Sequence, residues 1–268
     1  MSCIKKFGYY LNSIWTLFKG VKHPWKLVRL FLYAKHDQPQ LLELSKTDLK
    51  MWVRGRMDAW SVKEAVLDRF YERFGTKVQS DWTVVDVGAA IGEFTVLAAK
   101  EASRGKVFAL EPNPQSVAIL LQNLKANNLT NVEVSTKGLW RESSLQTLNL
   151  INDEPLQAMT HSAEWVGADQ IQFETLTLAS FLSEHNLTQI DLLKSDCEGA
   201  EYDFMLTSSA DTLQAIQRII MEYHDLDLDQ NHHKLVEFLT VKGYKVRITP
   251  NQVHPEIGYL YAERGAEE

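Results

Sequence analysis

Val84-Val85-Asp86-Val87-Gly88-Ala89-Ala90-Ile91-Gly92-Glu93-Phe94 decides the fold. An apolar run of strand character ends on a turn of small residues and two glycines, and helical spacing resumes at Phe94. The segment therefore reads as strand, tight turn and helix start. Such a turn lets backbone approach a ligand closely, and helix-start amides suit a carboxylate or phosphate beyond the strand end. Glu111 closes the next apolar run, Phe108-Ala109-Leu110-Glu111-Pro112-Asn113-Pro114, where a carboxylate can accept from both hydroxyls of a ribose. Nicotinamide-binding turns usually carry a middle glycine, but here that position is Ala90, and an acid, Asp86, stands two residues before the first glycine. This disfavours a pyrophosphate. It favours S-adenosylmethionine, whose zwitterionic amino-acid end can use a carboxylate as well as helix amides. The candidate cofactor contacts are Asp86, Gly88, Ala89, Ala90, Gly92, Glu93, Glu111, Pro112 and Asn113, joined by Trp140 after the third strand.

Outward from the turn, short apolar runs at 83–87, 106–110, 132–134, 192–193 and 219–221 alternate with helical stretches at 94–102 and 114–127. That alternation implies an α/β fold with a largely parallel sheet covered on both faces. Residues 145–151 and 171–178 read as two β pieces around a polar loop; Met159, His161 and Trp165 make that loop a candidate acceptor lid. The tail reads helix (232–241), strand (244–248), strand (258–262), and His232 and His233 read as a solvated helix face. Residues 41–74 read as helical up to Gly75, with Asp58 and Trp60 placed to close over a cofactor or, for Trp60, to fill the core.

The second informative stretch is Asp191-Leu192-Leu193-Lys194-Ser195-Asp196-Cys197-Glu198-Gly199-Ala200-Glu201. Lys194 and Asp196 share a strand face, and a lysine buried there requires an acid partner. Ser195-x-x-Glu198 also fits a helix capping box. With the first turn, this stretch resembles the FkbM-type family of S-adenosylmethionine-dependent methyltransferases, whose pattern is D-x-G-A-N-x-G followed by K-x-D-x-E-G-x-E. Asp86, Gly88, Ala89 and Gly92 match the first part, and Lys194, Asp196, Glu198, Gly199 and Glu201 the second; Ala90 replaces the family's Asn. The resemblance covers residues 55–263. It implies a Rossmann-like seven-stranded sheet with an antiparallel last strand, and O-methylation of a small hydroxylated acceptor such as a sugar, glycoconjugate or natural product.

Glu222 and His224 end the next strand on one face, so Lys194, Asp196, Glu222 and His224 are expected to converge beside the methyl group. An alcohol is a poor nucleophile at neutral pH and needs a base or a hard cation. Asp196 and His224 are the candidate bases. Glu222 and Glu198 are candidates for support, Asp196 and Glu222 for ligands of a divalent cation, and Lys194 for positioning the acceptor. Two rival readings remain: a nicotinamide-dependent oxidoreductase, and a non-catalytic membrane-surface adaptor on a methyltransferase-like sheet.

Composition bounds the remainder. The chain has 268 residues, 45% hydrophobic and 24% charged, which excludes disorder, collagen and low complexity. Its two cysteines, Cys3 and Cys197, support neither a disulfide framework nor a cysteine zinc site, so a cytoplasmic protein is expected. The net charge is -7, yet residues 1–36 hold seven basic residues and no acid. The acidic bulk argues against nucleic-acid binding. Ile4, Phe7, Leu11, Ile14, Phe18 and Val21 make a helical stripe that Pro24 interrupts before Leu27, Leu30 and Phe31. Residues 1–54 are therefore expected as a basic amphipathic helical extension, packed on the main domain, contacting a second copy or lying peripherally on a membrane, and 55–268 as the methyltransferase domain.

Overall fold

The computed structural model describes residues 13–32, 38–151, 154–159, 169–251 and 253–265. Residues 13–20 (α1) and Trp25–Leu32 (α2) are helical. They lead into a hairpin, β1 (Gln40–Glu43) and β2 (Lys50–Val53), then α3 (Arg56–Val62), a π-helical turn (Lys63–Leu67) and α4 (Phe70–Phe74). There follow β3 (Thr83–Val87), α5 (Glu93–Glu101), β4 (Lys106–Leu110), α6 (Pro114–Ala126) and β5 (Val132–Ser135). A side sheet comprises β6 (Gly138–Leu139), β7 (Leu145–Ile151), β8 (Glu154–Met159) and β9 (Asp169–Leu176). The chain closes with α7 (Leu178–Glu184), β10 (Leu192–Ser195), α8 (Ala200–Leu206), α9 (Ala210–Gln214), β11 (Arg218–His224), α10 (His232–Val241), β12 (Tyr244–Pro250) and β13 (Ile257–Arg264).

The main sheet runs β12-β13-β11-β10-β3-β4-β5, parallel except for β13, which is antiparallel to both its neighbours. The expected seven-stranded architecture is thus present. Strand alternation distributes apolar side chains to two cores. Val84, Val107, Leu192 and Ile220 pack with α5 and α6 on one face, whereas Val85, Phe108, Leu193 and Ile219 pack with α7, α8 and α10 on the other. Strand order reverses between β3 and β10, which opens a crevice at their carboxyl ends.

The helical reading of 41–53 does not hold. Leu42, Met51 and Val53 are buried at alternate positions of a two-stranded antiparallel hairpin. Side-chain amides in and just after α6 fix it from a distance: Asn123 accepts from Trp52 N at 2.5 Å, and Asn127, which ends the helix, accepts from Lys50 N at 2.9 Å. Helical residues do occupy 56–74, but they break at Arg69, whose φ is +53°. The polar loop expected between the β pieces contributes β8 to the side sheet; His161 and Trp165 lie outside the described residues.

Leu17, Val21, Leu27 and Leu30 are buried in the same core as α3 and α5, so the N-terminal helices pack on the main fold. Ser13 accepts from Lys63 Nζ at 2.9 Å. Their other face is apolar and basic: Trp15 and Trp25 are 60% and 64% exposed, beside Ile14, Val28, Phe31, Lys19 and Arg29.

Candidate active site

Parallel pairing of β3 with β10 sets Asp86 opposite Lys194. The Lys194 ammonium lies 2.9 Å from Asp86 Oδ1 and donates to Gly88 O at 2.8 Å, while Thr95 donates to Asp86 Oδ2 at 2.5 Å. Both charged residues are almost wholly buried, Asp86 at 0% and Lys194 at 2% exposure. The acid that the lysine needs is therefore Asp86, and the neighbouring acids hold the ammonium well above its ordinary pKa against the effect of burial. This differs from the expectation for both residues. Asp86 sits beneath the turn without lining the cavity at the strand ends, and Lys194 faces Asp86 and Gly88 with no side-chain access to an acceptor.

The glycines also have a tertiary reason. A Cβ on Gly88, whose φ is +73°, would lie 1.9 Å from Asp196 O, so the turn after β3 and the loop after β10 pack backbone to backbone. Gly92, at φ +84°, admits the Leu120 side chain from α6. Ala90 has a φ of +47°, a region that Asn tolerates better than Ala, which gives a backbone reason for the Asn of the family pattern. Glu111 accepts from Ala90 N and from Asn113 N, each at 2.8 Å, and so clamps the two strand-end turns together. Each of its oxygens retains acceptor capacity.

Of the expected cofactor contacts, Gly88, Ala90, Glu93, Glu111, Pro112 and Trp140 line one cavity. Asp86, Ala89, Gly92 and Asn113 stand behind it; Asn113 is fully buried and caps α6 through Gln115 N at 2.9 Å. The sequence reading missed Ser61 of α3 and Phe173 of β9, which close the cavity from elements distant in the chain. Ser61 donates to Glu93 Oε1, while Oε2 is buried with no hydrogen-bond partner among the described residues. That orphaned carboxylate oxygen at the start of α5 fits the ammonium of an amino-acid group.

Burial pushes the Glu93 carboxyl up to about 7, against the opposing pull of Lys194 and Ser61. A folded pKa above the unfolded one means that the folded chain binds the extra proton. The resulting stability is present at low pH and is lost as pH rises from about 4.5 through 7, on the order of 2–3 kcal/mol for this group. In the ligand-free protein Glu93→Gln should flatten that part of a urea-denaturation profile taken between pH 5 and 8. An unchanged slope would remove Glu93 as its source.

A second cavity adjoins the first and shares Ser61, Asp196 and Glu198 with it. Trp60, Phe70, Tyr71 and Tyr259 form its aromatic walls, and Glu64 and Glu222 add carboxylates. Trp60 lines this cavity and donates to Glu64 at 2.9 Å, while Asp58 grips the Arg54 guanidinium through two 2.9 Å contacts, away from either cavity. Tyr71 donates to Asp196 Oδ2 at 2.8 Å.

His224 does converge with Asp196 and Glu222, but its setting makes it a poor base. Its backbone N donates to Glu201 Oε1 at 2.9 Å, and its Nδ1 lies 3.2 Å from the same oxygen. Nε2 faces Glu198 at 3.6 Å and Glu222 at 3.9 Å. Burial alone would lower the imidazole pKa; Glu201 and Glu198 outweigh it and raise the ring to about 10. Such a ring is already protonated at neutral pH. Burial, then the Asp196 charge, raises Glu222 to about 8, and burial raises Glu198 to about 7. Protons thus act as counter-ions within a crowded acidic cluster.

Glu201, at 0% exposure, is the residue whose role the sequence hid, since it holds both His224 and Gly199 N. The capping-box reading of Ser195 and Glu198 fails: Glu198 is left-handed at φ +53°, and Gly199 begins α8 without a side-chain cap. His232, expected on a solvated face, stacks on Tyr223 and bonds Asp225 at 2.7 Å.

Residues 86–246 match the methyltransferase FkbM domain. Similar proteins include Methyltransferase 1 of Beauveria bassiana, 26% identical over 214 residues, covering 73% of this chain and 84% of that one. The 31-O-demethyl-FK506 methyltransferase FkbM of Streptomyces tacrolimicus is 24% identical over 193 residues, 62% of this chain and 74% of its own. Among solved structures, Methyltransferase FkbM from Methylobacillus flagellatus KT aligns with a TM-score of 0.48 at 13% identity, covering 76% of this chain and 53% of that one.

Proposed function

Because the chain belongs to the FkbM family of methyltransferases, we propose that it moves the methyl group of S-adenosylmethionine to a hydroxyl oxygen of a small acceptor seated in the second cavity. The observation that carries this reading is the shared wall: Asp196 and Glu198 border both cavities, so a donor in one and an acceptor in the other would meet there. The bound sulfonium supplies an already activated methyl. The chain's own task is alignment of two partners and management of one proton.

In this reading the Gly88–Ala90 backbone and Glu93 hold the amino-acid end, Glu111 the ribose, and Trp140 covers the adenine. Lys194 and Asp86 keep the turn after β3 in place from beneath. A pyrophosphate at the turn after β3 would face the Glu93 carboxylate, which disfavours a nicotinamide cofactor. Asp196 is the acceptor's neighbour on the shared wall and takes its proton directly or serves a hard cation that acidifies the hydroxyl. Incubation with methyl-labelled S-adenosylmethionine and fractionated extracts of the source cells tests the reading. Label should appear on a low-molecular-weight hydroxylated compound as a base-stable ether, and label on nitrogen or on nucleic acid would refute it.

For the exposed face of α1 and α2 the proposed occupant is an anionic bilayer surface, because exposed indoles lie among the exposed Lys19 and Arg29 in a segment free of acids. Removing the helices would uncover the core residues Leu17 and Leu27, so point changes are the sound test. Trp15→Glu with Trp25→Glu should reduce sedimentation with phosphatidylserine vesicles at least tenfold, and 1 M salt should weaken the wild type too. Equal vesicle binding by both proteins, or self-association abolished by the same changes, would reassign the face.

A further inference from the structure

Asp196, Glu222 and His224 bring three possible ligand atoms within 4.8 Å of one another; Asp196 lines both cavities, Glu222 lines the second, and His224 stands behind them. The adjacency follows from the sheet: Ser195 pairs with Met221 on neighbouring parallel strands, and Asp196 and Glu222 each stand one residue further on. We propose that this trio is a binding site for one hard divalent cation of the magnesium or manganese class. Its use in methyl transfer rests on the function proposed above; its existence does not.

The donor set favours that class. The two carboxylates suit magnesium and manganese, and the one imidazole shifts the set toward manganese within that class. The nearby thiol is turned away, since Cys197 Sγ lies 3.2 Å from Ser195 Oγ and 3.7 Å from Glu201. Each donor is also oriented by a partner behind it. Tyr71 donates to Asp196, the Tyr259 hydroxyl bonds Glu222, and Glu201 engages His224 Nδ1. A carboxylate on the far ring nitrogen is the arrangement by which proteins aim a histidine at a metal. His224 is 9% exposed, and its Nε2, directed into the cluster 3.6 Å from Glu198 and 3.9 Å from Glu222, would release its proton to solvent on taking the ion.

Charge leads to the same place. Glu64, Glu198 and Glu222 surround the second cavity with Asp196, and among the described residues neither cavity is lined by Lys or Arg. The strand lysine that could have neutralised them is engaged by Asp86 and Gly88. Asp196, Glu222 and His224 would hold a dication, which would supply Lewis-acid activation of an acceptor hydroxyl.

The test is titration of manganese into the chelator-stripped full chain, with free ion followed by electron paramagnetic resonance. One ion should bind per chain. Asp196→Asn and Glu222→Gln should each weaken binding at least tenfold, and Glu201→Gln, which among the three donors touches His224, about 10- to 100-fold. Circular dichroism and S-adenosylmethionine binding check that each variant is folded; if Glu201→Gln is not, the other two variants decide. Manganese left free by a wild type that still binds S-adenosylmethionine would overturn the proposal, as would binding unchanged in both Asp196→Asn and Glu222→Gln. Methyl transfer without any bound ion sinks the cation's use in catalysis and not its site, whereas ion binding without methyl transfer sustains the site and sinks the proposed function.

Discussion

Asp196→Asn should lower turnover by about 10²-fold or more, the scale for losing a general base, with cofactor affinity changed less than about twofold. The substitution keeps the side-chain shape, and the Tyr71 hydroxyl can still donate to the amide oxygen. What disappears is a negative charge on the wall between the cavities. That charge is needed whether Asp196 takes the acceptor proton or holds a cation, so the loss appears in the chemical step. Glu93, Glu111 and Trp140 retain their places around the first cavity, which explains the small effect on binding. Single-turnover kinetics paired with calorimetry separates the two quantities. Wild-type turnover in the variant would reduce Asp196 to a partner of Tyr71. Chelation of the wild type adds a second axis: activity lost and restored by magnesium assigns the charge to a cation, and insensitivity assigns it to proton transfer.

Lys194→Met should destabilise the fold by about 3–5 kcal/mol, because it removes one partner of a buried ion pair and leaves the other uncompensated. Asp86 would keep only Thr95, and Gly88 O would lose the ammonium that now donates to it. The turn after β3 is packed against Asp196 O with no space for a Cβ, so a shift there disturbs both cavities. Adding Asp86→Asn should recover much of the loss by removing the stranded charge. Urea denaturation of the two single variants and the double variant measures the coupling. A single-variant loss below about 1 kcal/mol would show that Asp86 does not depend on the lysine.

The architecture was legible because its signals are local. Apolar runs of two to five residues alternating with helical spacing, and the glycine turn after Val87, specify a parallel sheet wherever the strands finally pair. Strand alternation likewise placed Glu222 and His224 on one face without knowledge of their neighbours. The hairpin at 40–53 was misread because its anchors are Asn123 of α6 and Asn127 at its end, more than 70 residues away.

Side-chain partnership was not legible for the same reason. Lys194 could have met Asp196, two residues along its own strand; the β3–β10 register instead gives it Asp86, 108 positions earlier, and leaves Asp196 to Tyr71. His224 read as a candidate base because the sequence does not show that Glu201, buried at the start of α8, holds its ring. Residue types and strand periodicity thus determined the fold and the neighbourhood of the site. Which charges face each other, and hence which groups hold protons, was decided by packing alone, because Coulomb and hydrogen-bond energies depend on distances and burial that exist only once the sheet and its helices have closed.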